Sequence, residues 1–245
     1  MASDLRFEPI QQVRAHEYVA EQIRRYIALR LIQPGEALPS ERQLAALFAV
    51  GRATIQHALR LLEAARLVEA RRGRGGGTVV SQPAKDVDAM EELIARVSRD
   101  RLAIADMLDW RYEVEPVVAG VAAATADPED LAAMRAAMDG MANASSEPDY
   151  MRHDTEFHMA IARATRNRFM ISAIEETRLQ LNDAMTLLPE SRVWHARISS
   201  EHDAIFRRIE SHDREGAKSA MLVHTAHSAQ GLRAALEAIR RRRSR

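Results

Sequence analysis

The stretch Leu38–Leu62, LPSERQLAALFAVGRATIQHALRLL, reads as two short helices joined by a tight turn. Ser40 stands just before a helix-favouring run with Gln43 three residues on, so its hydroxyl can cap free backbone N–H groups while Gln43 reaches back to the Ser40 N–H. The first helix is therefore expected from about Glu41, with Leu44, Leu47 and Phe48 forming one apolar face. Ala49, Val50 and Gly51 make the turn, Gly51 being the residue that tolerates a positive φ. A second helix follows from Arg52, in which Ile55, Leu59 and Leu62 recur at helical spacing and face inward. Arg52, Ala53, Gln56, His57 and Arg60 are left on the outer side.

A helix that turns such residues outward near its start suits the major groove of DNA, with Arg42 and Arg52 placed for phosphates beside it. Helical hairpins that never meet DNA share the pattern. The residues after the second helix separate the two readings. Leu67, Val68 and Glu69 read as a short strand, Arg71 to Gly77 (RRGRGGG) as a glycine-rich hairpin tip with three arginines, and Thr78, Val79 and Val80 as the returning strand. Such a basic wing lets backbone approach a phosphate ridge or the minor groove, and its charge releases counterions from DNA.

Gly35, Leu38 to Arg42, Leu44, Ala45, Phe48, Val50, Arg52, Thr54, Ala58, Leu59, Leu62, Glu63, Leu67, Val68 and the glycines before Thr78 together resemble the DNA-binding half of GntR-type transcriptional regulators, over about 50 residues. By position, the resemblance implies DNA contacts from Arg42, Arg52, Thr54 and the wing near Arg72 and Gly73. The sequence departs from the family at Gly51, where a Ser or Thr is usual, at Gln56, where an arginine is frequent on the DNA-facing side, and at Arg66, where a Gly is usual. A hydroxyl cap and one arginine contact are thereby missing, so the family's operator sequences do not transfer.

Charge divides the 245-residue chain, which is long enough for two modest domains. Its formal net charge is zero, yet residues 1–83 carry 12 basic and 8 acidic side chains, against 23 and 27 in the remainder. The cationic part is the part that would meet nucleic acid. With no cysteine there are neither disulfides nor thiolate metal sites. No apolar run approaches a membrane span and the first residues do not resemble a signal peptide, which points to the cytoplasm and to no membrane partner. A winged helix-turn-helix domain is expected over 10–81 (helix-turn-helix 41–60, wing 67–80), a linker and first helix over 82–100, and an all-helical domain over 101–240. An amphipathic helix from about Arg14 to Ile32, with Val19, Ile23, Tyr26, Ile27 and Leu31 on one side, supports the helix pair and stops at Pro34 and Gly35.

Beyond Asp86 the pattern is almost wholly helical, in segments near 86–98, 102–125, 128–143, 149–164, 168–187, 191–211 and 214–240. Seven helices at this spacing imply an antiparallel bundle, so the fold class is mainly α. Aromatics are 4% of residues and alanine is abundant, so the bundle should pack on small side chains. The arginines from Arg240 to Arg245 read as a solvated, frayed tail.

Three of the nine histidines fall on stripes that otherwise face a core. Asp154 and His158 are one helical turn apart with Ile161 continuing the stripe; His202 shares a face with Ile198, Ile205 and Ile209; His224 shares one with Met221 and Ser228. A lone inward histidine is usually a satisfied core residue. One carboxylate and three imidazoles converging from three helices would instead leave several buried polar groups that a divalent ion satisfies together.

Residues 102–230 also resemble the FCD ligand-binding domain of the FadR branch of these regulators, in Asp154, Phe157 and His158, in Glu201 and His202, and in the late His224. The resemblance implies Asp154, His158, His202 and His224 as ligands of a divalent ion; three nitrogens and a carboxylate suit Zn or Ni, or Mn or Fe where water completes an octahedron. His153, His195, His212 and His227 fall off those positions and read as surface residues or as partners of the ligands. Arg111, with Glu115 and Pro116 on what reads as the bundle's longest helix, matches a family arginine. It is either a surface partner of Glu115 or, as favoured, a bidentate clamp for the carboxylate of a small organic acid. Arg178 and Asn182 are candidates for the same cavity. The chain thus reads as a regulator of transcription, a repressor in the first instance, that binds a palindromic double-stranded operator as a homodimer and answers to an acid effector. The alternative is a metal-dependent hydrolase or dioxygenase on the same ligands. It lacks a general base other than Glu201, which adjoins His202 and should point elsewhere.

Overall fold

The computed structural model describes residues 14–71, 77–81, 95, 97, 99, 101–185 and 192–243. The chain forms two compact units. One comprises residues up to Ile27 and Pro34–Gln82, the other Ala28–Gln33 and Pro83–Arg245.

In the first unit α1 (Ala15–Ala28) is followed by α2 (Glu41–Leu47), α3 (Arg52–Ala64) and a hairpin of β1 (Val68–Arg71) with β2 (Gly77–Val80). Ser40 caps α2 as its sequence requires: its hydroxyl accepts from the Gln43 N–H at 3.4 Å, while its own N–H donates to Gln43 Oε1 at 2.9 Å. Ile55, Ala58 and Leu62 of α3 are fully buried and Leu59 nearly so. Burying each of the larger ones stabilises the unit by about 1.5–3 kcal/mol. The strands pair antiparallel from Val68 opposite Val80 to Arg71 opposite Gly77. A third short edge, unforeseen in the sequence, lies alongside, with the Gly35 and Leu38 N–H groups donating to the Val80 and Thr78 carbonyls, both at 2.8 Å. Gly35 reaches that edge at φ 86°, a conformation that costs a side-chain-bearing residue about 1–2 kcal/mol.

Three expectations are corrected by the structure. Leu47 is 74% exposed, because it lies about 60° to one side of Leu44 on a helix whose contacts lie on the Leu44–Phe48 side. The left-handed residue of the turn is Ala49 (φ 51°), whereas Gly51 is the extended N-cap of α3 (φ −69°, ψ 152°) and supplies no side-chain cap. Finally, α1 ends at Ala28 rather than near Ile32 and leaves Tyr26 exposed, since Arg30 adopts φ 60° and breaks the helix. Arg66 is left-handed as well (φ 58°), which accounts physically for the glycine usual at that position.

The second unit holds α4 (Arg101–Thr125), α5 (Pro128–Ala142), α6 (Glu147–Ala164), α7 (Arg168–Met185), α8 (Arg192–Glu210) and α9 (Arg214–Arg243). The expected helix near 86–98 lies largely outside the described residues. Asp127 and Ser146 cap α5 and α6, each followed directly or at one remove by a proline in the first turn, where a missing N–H costs nothing. α9, not α4, is the longest helix. Small side chains let these helices approach closely: Ala119, Ala122, Ala123, Ala162, Ala164, Ala184 and Ala217 are fully buried in one continuous core. Gly231 of α9 serves the same end, as a Cβ there would meet the Trp194 ring at 2.5 Å. Among the described residues no helix is long and apolar enough to cross a membrane.

Candidate metal centre and nucleic-acid interface

On the first unit, Arg42, Arg52 and Gln56 are exposed and Thr54 half-buried, all on or beside the outer face of α3. Gln56 is not free, since its Nε2 donates to Glu41 Oε2 of α2 at 2.9 Å. His57 stacks on His16 of α1 with ring centroids 3.8 Å apart. Arg72 and Gly73 of the wing tip lie outside the described residues.

In the bundle, α6, α8 and α9 bring His158, His202 and His224 together, with one nitrogen of each within 4.8 Å of the others. All three are buried. Asp154 Oδ1 joins them, 3.5 Å from His202 Nε2 and 3.9 Å from His158 Nε2. Both His202 nitrogens and His158 Nε2 are buried without a hydrogen-bond partner. Orphaned nitrogens at this depth are costly, and a cation is the partner that such a donor set fits.

Two carboxylates that sequence reasoning did not assign to the site orient the rings. Glu115 Oε2 lies 3.2 Å from His158 Nδ1, and Glu201 Oε2 lies 3.2 Å from His224 Nδ1. Glu201 is hydrogen-bonded to the His224 ring at Nδ1, and a carboxylate partner at Nδ1 is the arrangement that strengthens imidazole as a ligand through Nε2. Glu201 also meets His227 Nδ1 at 2.6 Å, so it does reach the edge of the site, in an orienting position rather than as a base facing the centre. Their signals in the sequence are the four-residue step from Arg111 to Glu115 and the Glu201–His202 adjacency. Neither signal names a partner helix.

Arg111 is 1% exposed, which excludes the surface reading of its pair with Glu115. Its guanidinium also donates to Ser228 Oγ at 2.9 Å and lies 3.4 Å from His224 Nε2, beside the imidazoles. Arg178 donates to Asp154 Oδ2 and, at 3.3 Å, to Thr155 Oγ1. Arg111, Asp154, His224 and Ser228 line a cavity closed by Tyr150, Met151, Met185, Trp194 and Ile198. It measures about 20 Å³, room for roughly one water. Tyr150 stacks on His195 at 4.3 Å, and His195 Nε2 lies 3.2 Å from Glu147. These three side chains also line a wider outer cleft of about 630 Å³.

Burial opposes ionisation of Glu115, but Arg111 and His158 outweigh it and hold its pKa down to about 2. Against the same opposition, Arg178 and then the imidazoles keep the Asp154 carboxyl well below the usual carboxylate range. Burial lowers His202 to about 3, despite the attraction of Asp154, and takes His224 well below its ordinary value. Neutral imidazoles beside an ionised carboxylate are the forms that bind a cation. In the unfolded chain both histidines titrate near 6.5, so below that pH the unfolded state holds protons that the fold excludes. The thermal midpoint of the metal-free protein should therefore fall as pH drops from 6.5, with each proton worth about 1.4 kcal/mol per pH unit. Melts at a series of pH values check this, and His202→Gln should remove one proton's share of the slope.

Residues 15–80 match the family described as bacterial regulatory proteins, gntR family, and residues 106–227 match the FCD domain. The chain is 30% identical over 227 residues to the Uxu operon transcriptional regulator of Escherichia coli (strain K12), covering 89% of this chain and 87% of that one. It is 28% identical over 222 residues to that organism's putative L-lactate dehydrogenase operon regulatory protein (86% and 83%), and 29% identical over 212 residues to its galactonate operon transcriptional repressor (82% and 89%). None of these relatives is described as an enzyme, and the hydrolase or dioxygenase alternative finds no support among them. With a helix-turn-helix and wing at one end and a helical domain enclosing a buried polar cavity at the other, the chain belongs to the GntR family of DNA-binding transcriptional regulators and carries an FCD effector-binding domain.

Proposed function

We propose that this regulator is a homodimeric repressor of a palindromic operator, and that its grip on DNA is set by a small organic acid bound beside a divalent ion in the bundle. The observation that carries this reading is the convergence of Asp154, His158, His202 and His224, with orphaned imidazole nitrogens, next to the buried guanidinium of Arg111. Those four side chains would hold the ion, Zn or Ni being favoured by three nitrogens and one carboxylate. A bound ion would supply Lewis acidity toward a carboxylate. Arg111, kept in place by Glu115 and Ser228, presents planar N–H donors to the same carboxylate. Two of the Escherichia coli relatives regulate operons called after L-lactate dehydrogenase and galactonate, and both lactate and galactonate are carboxylic acids, which supports an acid effector here.

The size of the cavity adds the regulatory step. A space with room for one water admits an acid only if its walls move, so an acid binds one arrangement of the helices better than the other and shifts the balance between them. On the first unit, Arg42, Arg52, Thr54 and Gln56, with Arg72 and Gly73 of the wing, are assigned to DNA. Two such modules on a palindrome supply the affinity and specificity that a single helix lacks.

The test is a thermal-shift screen of small carboxylates with and without Zn2+, followed by operator titrations on a DNA fragment selected by the protein from a random pool. Expected is an acid whose stabilisation requires both the metal and Arg111, and which changes DNA affinity by about 5- to 150-fold. Acids that bind yet leave DNA affinity unchanged would overturn the regulatory reading.

A further inference from the structure

Arg178 and Asn182 stand one turn apart on α7, each 1% exposed. Each carries a buried polar atom with no hydrogen-bond partner, Nε on the arginine and Oδ1 on the asparagine. An orphaned donor and an orphaned acceptor at i and i+4 are within reach of each other on a helix. They remain unpaired because each side chain is engaged elsewhere. Arg178 donates to Asp154 Oδ2 and Thr155 Oγ1. Asn182 Nδ2 donates to the same Thr155 Oγ1 at 3.4 Å and to the Leu29 carbonyl at 3.2 Å.

Leu29 immediately follows α1, ahead of the left-handed Arg30. It is 3% exposed and sits in the segment 28–33, which belongs to the helical unit. That segment is tied down again by Gln33, whose Nε2 donates to the Arg30 carbonyl at 2.7 Å and to the Pro148 carbonyl, in the first turn of α6, at 3.0 Å. A continuous hydrogen-bonded path thus runs from Asp154, in the candidate metal centre, through Arg178, Thr155 and Asn182 to the residue that closes the first helix of the chain.

We infer that Arg178 and Asn182 form a two-position switch that reports occupancy of the centre to segment 28–33; this rests on the reading of Asp154 as a cation ligand. In the described position the Asp154 charge holds Arg178, and Asn182 holds Leu29. When a cation draws on that charge, Arg178 turns along α7 to Asn182 Oδ1, which pairs the two orphans. The Asn182 amide then re-aims, the Leu29 carbonyl loses its donor, and the end of α1 is released. The competition is between two hydrogen-bonding arrangements of the same buried groups, the kind of bistable element that coupling between sites requires.

The test is hydrogen–deuterium exchange of the 28–33 amides in the full chain, with and without saturating Zn2+, alongside calorimetry of Zn2+ binding. In the wild type, zinc should speed exchange of this segment several-fold. Asn182→Asp places a permanent counter-charge beside Arg178, so its segment should exchange fast without zinc and gain nothing from it. Asn182→Ala should bind zinc and show no zinc response at 28–33. Bound zinc with no change in the wild-type segment, or slow wild-type-like exchange in Asn182→Asp, would overturn the switch. Calorimetry with no zinc binding to the wild type would instead overturn the metal reading on which the switch rests.

Discussion

Alanine at position 202 should weaken binding of a divalent ion to the bundle more than a hundredfold. His202 is the one imidazole of the three with neither nitrogen hydrogen-bonded, and it is fully buried against Phe157 at 4.5 Å between ring centroids. Its nitrogens therefore have most to gain from a cation. Four-ligand zinc sites are worth roughly 10–16 kcal/mol in all, so removing one ligand should weaken binding by about 3 kcal/mol, more than a hundredfold. Calorimetry or competition with a chromogenic chelator reads this directly. The thermal consequences diverge: zinc should raise the wild-type midpoint markedly and that of His202→Ala little. Glu115→Gln and Glu201→Gln should act through His158 and His224 and cost less, about 10- to 100-fold, because they remove the orienting partner and leave the ligand. Equal zinc affinity in wild type and His202→Ala would remove His202 from the centre.

The second large effect belongs to the other unit. Arg52 opens α3, is exposed, and has no ion pair among the described residues. Its charge is thus available to DNA without first giving up an internal partner. Arg52→Ala should weaken binding to a selected operator by about 1–3 kcal/mol, roughly tenfold to a hundredfold, if it reads a base edge. If it meets a phosphate alone, the loss should be similar on every sequence, and the slope of log affinity against log salt should fall by about 0.9. Titrations on operator and random DNA at several salt concentrations separate the two outcomes. Unchanged affinity in both would take Arg52 off the interface. Gln56→Ala should cost less, since Gln56 must leave Glu41 before it contacts DNA.

Local signals in the sequence hold wherever a property depends on a few consecutive residues. The Ser40–Gln43 capping box is such a case, as are the inward stripe of Ile55, Leu59 and Leu62 and the strands on either side of the wing. The expectations that fail also share a cause. Leu47 looks apolar and periodic but is left exposed, and Ala49 rather than Gly51 takes the left-handed turn. Periodicity shows that a face exists; the neighbours decide how wide it is.

By itself the sequence determined that the chain is mainly helical with a basic winged end, and that three histidines and an aspartate occupy core-facing positions. Capping, helical period and charge are short-range properties, and they are written within one turn or one strand. Only the tertiary structure decided which carboxylate orients which ring, that Arg178 rather than Arg111 holds Asp154, and that Asn182 reaches back 153 residues to the Leu29 carbonyl. Partners so far apart in the chain meet only once whole helices are packed, so no pattern along the sequence specifies them, and the orphaned nitrogens that mark the centre appear only when every other partner has been counted.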